Sequence, residues 1–389
     1  MKYVLGARLR KYRENRGLTQ KRFAELIGVS NGRVSNWEQG INRPDADILA
    51  DICRILEVSP SELLDVKLST DEGLCGYGAC APTPVITGDT DGSILYALNE
   101  YYKPLLMGAE LNEELFPFVQ AKLFHNSTPK AALDIAIYDL LAQQAKKPLY
   151  AYLGGTGTAH HLKTDTTVSL GSVEKMTEDA KGFVAEGFSS IKVKLGGTKE
   201  EDIARIKALA EVLPKEVIVR LDANQAWTPE DAVYITCAAE DTGMNLDLVE
   251  QPVHYEDFEG LAYVTKNTKI KILADESVFS PADARRIIRM GAADLINIKL
   301  MKCGGIYEAL KIQKEAADNG VGLMLGCMME GAISVAAAAH FAAAKGIERL
   351  DLDPPYLMTH VPTVMNTSFE GENIYINGEG FGLGLKSIS

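Results

Sequence analysis

Eight short apolar or β-branched runs recur at roughly 25-residue intervals from residue 160 onward, and they constrain the fold more than any other feature. The runs are TTVSL, SIKVKL, VIVRLDA, LDLVEQP, KILADES, LINIKL, VGLML and RLDLDPP. Helical patterns such as EEDIARIKALAEVL separate them. Strands alternating with helices at this spacing predict an α/β protein whose parallel strands close into a TIM-type barrel. Because the last run leads into loop, we expect a (β/α)7β barrel over residues 128–361.

Charged residues end most of these apolar runs. They are Lys192 and Lys194, Asp222, Glu250, Asp275, Lys299, and Asp351 with Asp353. The carboxyl ends of barrel strands meet at one mouth, where active sites of this fold lie. Three carboxylates there repel one another unless a cation lies between them, and oxygen-only ligation favours Mg²⁺, with Mn²⁺ as a substitute. Asp222, Glu250 and Asp275 are therefore predicted metal ligands, and a structural ion-pair network is the alternative.

Residues 1–65 have a different pattern, in which short helical segments alternate with turn signals. In GLTQKRFAELIGVSNGRVSNWEQGINRP, Thr19 and Ser30 stand where N-caps are expected. The segment resembles the five-helix, all-α helix-turn-helix domain of phage repressors. Residues 1–43 carry ten Lys or Arg against three Asp or Glu, whereas the whole chain has a formal net charge of −13. This basic end suits the phosphates of double-stranded DNA, although some modules of this type bind proteins or dimerise instead.

The helix-turn-helix resemblance implies specific DNA contacts. The helix that follows Ser30 is expected to enter the major groove, where Arg33 and Asn36 could reach base edges. The full set of candidate DNA-binding residues is Gln20, Asn31, Arg33, Asn36 and Arg43.

The motifs KVK, LDAN, VEQP, ADES and INIKLMKCGG, in this order, are similar to those of the enolase superfamily, in its muconate-lactonizing subgroup. The resemblance covers roughly residues 67–389. It implies that Lys194 and Lys299 act as bases on opposite faces of a substrate, in a 1,1-proton transfer through an enediolate stabilised by Mg²⁺. Asp351-Leu-Asp353 resembles the D-x-D of the dipeptide epimerases and would hold a free ammonium group.

The same resemblance implies further substrate contacts. Lys192 would contact the substrate carboxylate, while Thr167, Cys327 and Met329 would line the pocket. The expected substrate is a small acidic dipeptide of the Ala-Glu type. Cycloisomerase, o-succinylbenzoate synthase and N-acylamino acid racemase remain alternatives within the subgroup. A transcriptional regulator that uses the barrel as a dipeptide sensor is the alternative from another class.

Enolase-type barrels carry an α+β capping domain built from both ends of the chain. Here a partial capping domain is expected at residues 66–127, completed by residues 362–389. The segment SELLDVKLSTDEG joins the helix-turn-helix pattern directly to a later strand of that domain, so its first strands are predicted to be missing. An edge without a neighbour favours association, and a homo-oligomer is expected.

The composition disfavours disulfide-rich, zinc-binding, membrane and secreted proteins. The six cysteines include no C-x-x-C pair, which disfavours both a disulfide framework and a zinc site. No apolar run approaches the roughly 20 residues that a membrane span requires, and the charged N-terminus is unlike a secretory signal. We therefore expect a cytoplasmic protein without a membrane partner.

Overall fold

The computed structural model describes residues 5–39, 41, 44, 48, 51–52, 55–56, 66–158, 160–357 and 366–385. Among the described residues of the N-terminal module, the helices with defined bounds are Leu5–Asn15, Gln20–Leu26 and Asn31–Glu38. Thr19 Oγ1 accepts a hydrogen bond from the Arg22 N–H at 3.1 Å, and Ser30 Oγ accepts one from the Arg33 N–H at 3.3 Å. Both predicted N-caps are therefore present.

The segment after the module forms an antiparallel hairpin, β1 (Val66–Ser69) and β2 (Cys75–Gly78). It packs on the helix Ser127–Gln144, whose backbone approaches β2 so closely that a Cβ on Gly78 would lie 1.9 Å from Ala132 O. Only glycine fits at such a distance. The other helices before the barrel are Asp91–Tyr96, the π-helix Ala97–Tyr102, Lys103–Leu106, Leu115–Lys122 and Leu149–Tyr152.

Eight parallel strands then form one sheet whose order follows the chain. After β3 (His160–Lys163) come β4 (Thr166–Val168), β5 (Ser190–Lys194), β6 (Ile218–Asp222), β7 (Asn245–Glu250), β8 (Lys271–Ala274), β9 (Leu295–Lys299), β10 (Gly322–Gly326) and β11 (Arg349–Asp351). The Asp165 N–H donates to Leu350 O at 3.3 Å and links the two ends of the sheet. The predicted barrel is therefore confirmed.

Seven long helices follow the first seven barrel strands. They are Val173–Ala185, Lys199–Val212, Pro229–Glu240, Phe258–Asn267, Pro281–Met290, Ile306–Asp318 and Ala332–Lys345, with the short helix Leu300–Cys303 preceding the sixth. In the part of the chain that the structure describes, the last strand is followed by the single turn Pro354–Leu357 and by no long helix, in agreement with the (β/α)7β count. Among the described residues, no helix is long and apolar enough to cross a membrane.

Strands β12 (Thr367–Glu370) and β13 (Asn373–Ile376) pair antiparallel, and β13 also pairs with β3. The Leu383 N–H donates to Asp139 Oδ1 at 2.8 Å, while the Tyr77 N–H donates to Asp139 Oδ2 at 3.0 Å. One carboxylate on the helix Ser127–Gln144 thus joins the C-terminal segment to the hairpin. The two ends of the enolase-like region meet on this helix.

Strand register brings the charged strand ends together. Lys194 pairs with Asp222, which in turn pairs with Glu250. On the other side, Gly326 pairs with both Lys299 and Asp351. Four buried apolar residues of the barrel strands form a separate small cluster: Leu248, Leu273, Leu295 and Met324. The side chains predicted from separate motifs therefore share one end of the barrel.

Candidate active site

Lys192 lies at the centre of the charged mouth. Its Nζ is 2.9 Å from Asp222 Oδ2, 2.7 Å from Glu250 Oε2 and 2.8 Å from Asp351 Oδ2. All four side chains are at most 7% exposed. A buried ammonium group among three carboxylates compensates charges that would otherwise repel one another. Lys192 therefore connects the predicted metal ligands to the D-x-D pair.

The two candidate bases approach from opposite sides. Lys194 Nζ donates to Asp222 Oδ2 at 2.6 Å and to Asn224 Oδ1 at 2.9 Å. Lys299 Nζ donates to Asp275 Oδ2 at 2.8 Å. Strands β5 and β9, which carry these lysines, lie on opposite sides of the eight-stranded barrel. A substrate held between them would present one face to each ammonium group.

Burial and neighbouring charges shift the titration of the three carboxylates in different directions. Burial acts to raise the pKa of Asp222, but the ammonium groups of Lys192 and Lys194 together outweigh it, and the pKa falls to about 2. Burial and the Asp222 charge together raise the pKa of Glu250 to about 7. For Asp275 burial again opposes ionisation, yet the ammonium groups of Lys299, Lys302 and Lys192 together hold its pKa well below the usual range. Glu250 is thus the member of the trio that takes up a proton most readily.

The pKa of Lys299 is shifted in the opposite direction by the neighbouring carboxylates. Burial acts to lower its pKa, but the carboxylates of Asp275, Glu250 and Asp351 together raise the pKa above the ordinary lysine value. In this arrangement the side chain carries a proton.

Backbone N–H groups of neighbouring segments hold the D-x-D pair, Asp351 and Asp353. The Thr167 N–H donates to Asp353 Oδ2 at 3.0 Å, and the Cys327 N–H donates to Asp351 O at 3.1 Å. Burial and the Asp351 charge raise the pKa of Asp353 to about 6. Met329 is 62% exposed and Cys327 is buried, so the two lie at different depths of the same loop.

Several residues that sequence reasoning did not select also shape the site. Lys302 is fully buried, and its Nζ lies 2.5 Å from Asp275 Oδ1. Asn297 Nδ2 donates to Glu250 Oε1 at 2.9 Å. The spacing K-x-x-K could have pointed to Lys302, and Asn297 lies two residues before Lys299 on the same strand face.

Gln251 follows β7 and joins two loops at the barrel mouth. Its Oε1 accepts hydrogen bonds from the N–H groups of Asp275 and Ser277 at 2.9 and 3.2 Å. Its Nε2 donates to Val253 O at 3.0 Å and to Ser277 Oγ at 2.8 Å. This amide therefore fixes the backbone beside Asp275.

No three acidic, histidine or cysteine side chains in the described part of the chain are grouped as ligands around a common point. Each of the carboxylates of Asp222, Glu250 and Asp275 instead has an oxygen within 2.9 Å of a lysine ammonium group. The donor set nevertheless fits a hard divalent cation, because it consists of three buried carboxylates from adjacent strands. Glu250 Oε2, although ion-paired with Lys192, has no hydrogen bond among the described residues. One oxygen of the set thus lacks a directional partner.

A cavity of 1370 Å³ opens beside Glu276 and Lys302, between the barrel loops and residues 84–89 of the capping domain. Lys130 lines it and is only 8% exposed. The ammonium group of Lys130 makes no hydrogen bond or ion pair with the residues that the structure describes. Burial lowers the pKa of Lys130, and the carboxylates of Glu308 and Asp89, which line the same cavity, partly oppose this effect.

The candidate DNA-binding residues lie partly on the helix Asn31–Glu38. Asn31 is exposed, Asn36 is half-buried, and the Arg33 guanidinium lies 5.4 Å from the centre of the Trp37 ring. Gln20 Nε2 donates to Glu38 Oε2 at 2.7 Å, so this amide already has a partner within the module. The prediction for Arg43 falls outside the described residues.

Comparison with protein families agrees with this arrangement. Residues 175–387 match the enolase C-terminal domain-like family, and residues 55–154 match the N-terminal domain of mandelate racemase and muconate lactonizing enzyme. The chain belongs to the enolase superfamily. Residues 9–63 match a helix-turn-helix family, so this member carries an additional module ahead of its enolase-type region.

Within the superfamily, the chain is similar to several dipeptide epimerases. The chain is 43% identical over 329 residues to the L-Ala-D/L-Glu epimerase of Clostridium acetobutylicum, covering 83% of this chain and 90% of that protein. A substrate-liganded complex of the Bacillus subtilis L-Ala-D/L-Glu epimerase has a TM-score of 0.80 at 42% identity, covering 83% and 90%. The Enterococcus faecalis dipeptide epimerase, complexed with Mg and L-Leu-L-Tyr, has a TM-score of 0.77 at 41% identity, covering 83% and 91%.

Proposed function

We propose that the chain is a Mg²⁺-dependent dipeptide epimerase that inverts an α-carbon by a 1,1-proton transfer. The observation that carries this proposal is the approach of Lys194 and Lys299 to a carboxylate trio from opposite sides of the barrel. Relatives at 42–43% identity that are named as dipeptide epimerases support the same reaction class.

In the proposed reaction the α-C–H bond of the substrate breaks, and one lysine Nζ takes the proton. The electron pair moves into the adjoining carboxylate and gives an enediolate. The other lysine then delivers a proton to the opposite face, so the configuration at the α-carbon inverts. One lysine must be neutral and the other protonated at the start, and the roles exchange for the reverse direction.

Asp222, Glu250 and Asp275 would hold the metal. When bound, Mg²⁺, or Mn²⁺ in its place, supplies Lewis-acid stabilisation of the charge that develops on the substrate carboxylate. Lys192 would contact the same carboxylate, since its ammonium group already lies beside Asp222, Glu250 and Asp351. Asn224 orients Lys194 through the 2.9 Å hydrogen bond and donates to Glu276 Oε1 at 3.2 Å.

The D-x-D pair would select a dipeptide by its free amino group. Asp351 and Asp353 would receive the substrate ammonium in charge-assisted hydrogen bonds. Thr167, Cys327 and Met329 would line the pocket around that amino-terminal residue. An N-acylated amino acid has no ammonium for the pair to bind, which disfavours the N-acylamino acid racemase alternative.

We propose an acidic side chain, as in Ala-Glu, for the preferred dipeptide. Lys130 supports this choice, because it is a buried cationic residue that lines the cavity beside Glu276 and Lys302. The Enterococcus faecalis relative, by contrast, was solved with L-Leu-L-Tyr. An acidic and an apolar dipeptide are therefore the informative pair to compare.

The test is incubation of a dipeptide library in D₂O with Mg²⁺, with α-deuteration followed by mass spectrometry. We expect acidic dipeptides to take up deuterium at the α-carbon, whichever configuration that carbon has at the start. Replacement of Glu250 by Gln should abolish metal-dependent exchange while circular dichroism stays unchanged. Exchange from N-acylated amino acids without exchange from any dipeptide would favour the racemase alternative. Dipeptide binding without exchange would favour the sensor.

We further propose that residues 1–65 bind double-stranded DNA. Asn31, Arg33 and Asn36 lie on the helix that follows the Ser30 cap, and this helix is the groove-reading element in repressors of this kind. Selection from random oligonucleotides, followed by a salt titration of the affinity, tests the proposal. Absence of any enriched sequence would support a protein-binding role for the module.

A further inference from the structure

A β-bulge in β7 places Asp247 outside the register that pairs this strand with β6. Val219 pairs with Leu246, whereas the next residue, Arg220, pairs with Leu248. Bulges of this kind re-aim the side chain of the extra residue. The bulge therefore makes the Asp247 carboxylate available to partners inside the barrel wall.

Two arginines bind the Asp247 carboxylate. Arg349 Nη2 donates to Oδ1 at 2.9 Å and Arg349 Nε to Oδ2 at 3.0 Å, which is a bidentate pair. Arg220 Nε donates to Oδ2 at 3.3 Å. The two arginines share this anchor, but they differ in burial. The Arg220 side chain is 6% exposed, and that of Arg349 is 31% exposed.

Arg220 extends from this anchor toward the D-x-D pair. Its Nη1 donates to Leu350 O at 2.7 Å and to Asp165 Oδ2 at 2.7 Å. Leu350 directly precedes Asp351, so the guanidinium fixes the peptide unit from which the first acid of the pair projects. On the following peptide, the Leu352 N–H donates to Thr164 Oγ1 at 2.7 Å.

The charge of Arg220, like its hydrogen bonds, supports the Asp351–Asp353 pair. Asp165, Asp351 and Asp353 are all buried, and their like charges disfavour ionisation of one another. Arg220 interacts electrostatically with both Asp165 and Asp351. A fixed cation on the barrel-wall side of the pair therefore favours its ionised form, which is the form that binds an ammonium group.

We propose that Arg220 is a positioning residue for the Asp351–Asp353 pair and thereby determines recognition of the amino terminus of a dipeptide. The inference rests on the proposed function for the identity of the ligand. Arg220 would act through the Leu350 carbonyl and the pair, without touching the substrate. The bulge at Asp247 holds the guanidinium in place for this purpose.

The test compares the affinity of Ala-Glu with that of N-acetyl-Ala-Glu, measured by calorimetry on the full chain with Mg²⁺. The ratio of the two affinities reports recognition of the ammonium group alone. Arg220→Lys should reduce this ratio about tenfold, the equivalent of one charge-assisted hydrogen bond. Arg349→Lys is the matched control, because it alters the same Asp247 anchor but does not remove the bond to Leu350 O. The control should keep the parent ratio.

Three results would overturn the inference: a parent protein that does not distinguish the two ligands, a parent-like ratio in Arg220→Lys, or an equal loss in Arg349→Lys. Should Arg220→Lys fail to fold, Arg220→Gln keeps a donor near Leu350 O but removes the charge, and it should lower the ratio in the same direction. An unchanged ratio in Arg220→Gln would then overturn the inference. Deuterium exchange in the parent is scored separately. Its absence counts against the proposed reaction, whereas the affinity ratio still decides the role of Arg220.

Discussion

His340 should make the enolase-type region less stable in mild acid. It is fully buried in the helix Ala332–Lys345, and the Tyr150 N–H donates to its Nδ1 at 3.1 Å. Its Nε2 lies 3.3 Å from both Asn366 Oδ1 and Thr367 Oγ1. A ring whose Nδ1 accepts and whose Nε2 donates is neutral, so protonation of Nδ1 would break the bond to Tyr150.

Burial lowers the pKa of His340 from 6.5 to about 4. Because the folded-state pKa is depressed, the contribution to stability is fully present above pH 6.5 and is lost as the pH falls toward 4. The difference between the unfolded and folded pKa values lowers the free energy of unfolding by roughly 3 kcal/mol once His340 is protonated in both states. At pH 5 the loss is roughly 2 kcal/mol. That loss is a substantial share of the stability of a typical domain.

The assay is urea unfolding at several pH values between 7.5 and 5, followed by circular dichroism, for the parent and for His340→Gln. Glutamine keeps a donor and an acceptor but does not titrate, so carboxylates that titrate in both proteins cancel in the comparison. We expect the parent to lose roughly 2 kcal/mol more than the variant on acidification to pH 5. Equal losses in the two proteins, or a parent that gains stability relative to the variant, would refute the reasoning.

Other features lead to predictions of the same kind. The KM for an ammonium-bearing dipeptide should rise as the pH falls through about 6, since Asp353 then takes up a proton; a pH-independent KM in steady-state kinetics would contradict this. Gly78→Ala should lower the free energy of unfolding in urea by about 1–3 kcal/mol, because its Cβ would lie 1.9 Å from Ala132 O. Gly182→Ala is the control, since this helical position is open, and it should raise the free energy of unfolding by about 0.5–1 kcal/mol. Arg33→Ala should lower the affinity for a selected oligonucleotide more than for random DNA in fluorescence anisotropy; an equal loss would remove its base-reading role.

The barrel could be predicted from sequence because its signal is repetitive and local. Each strand is a short apolar run, and each crossover has helical periodicity, so the period alone leads to the count of eight strands and seven helices. Residues such as Asp222 and Glu250 end their strands, and parallel register then brings them side by side. The site follows from topology without knowledge of any side-chain contact.

Contacts that depend on side-chain direction or on irregular pairing were not predictable in this way. Arg220 lies in the middle of an apolar strand, and its partner Asp247 is available only because of a bulge. Nothing in the run LDLVEQP marks that bulge. Similarly, the position of Lys192 among three carboxylates depends on which way a long side chain extends. Such details set the charge balance of the site and carry the proposed specificity, whereas the pattern of strand ends carries the proposed reaction class.

The central claim is that two lysines act on opposite faces of one substrate. Its most direct test is α-deuterium uptake from separately supplied L,L and L,D dipeptides, in D₂O with Mg²⁺, by Lys194→Ala and Lys299→Ala. If each lysine serves one face, each variant should lose exchange from one epimer far more than from the other, and the two variants should show opposite preferences. Equal loss from both epimers in both variants would contradict the two-base mechanism.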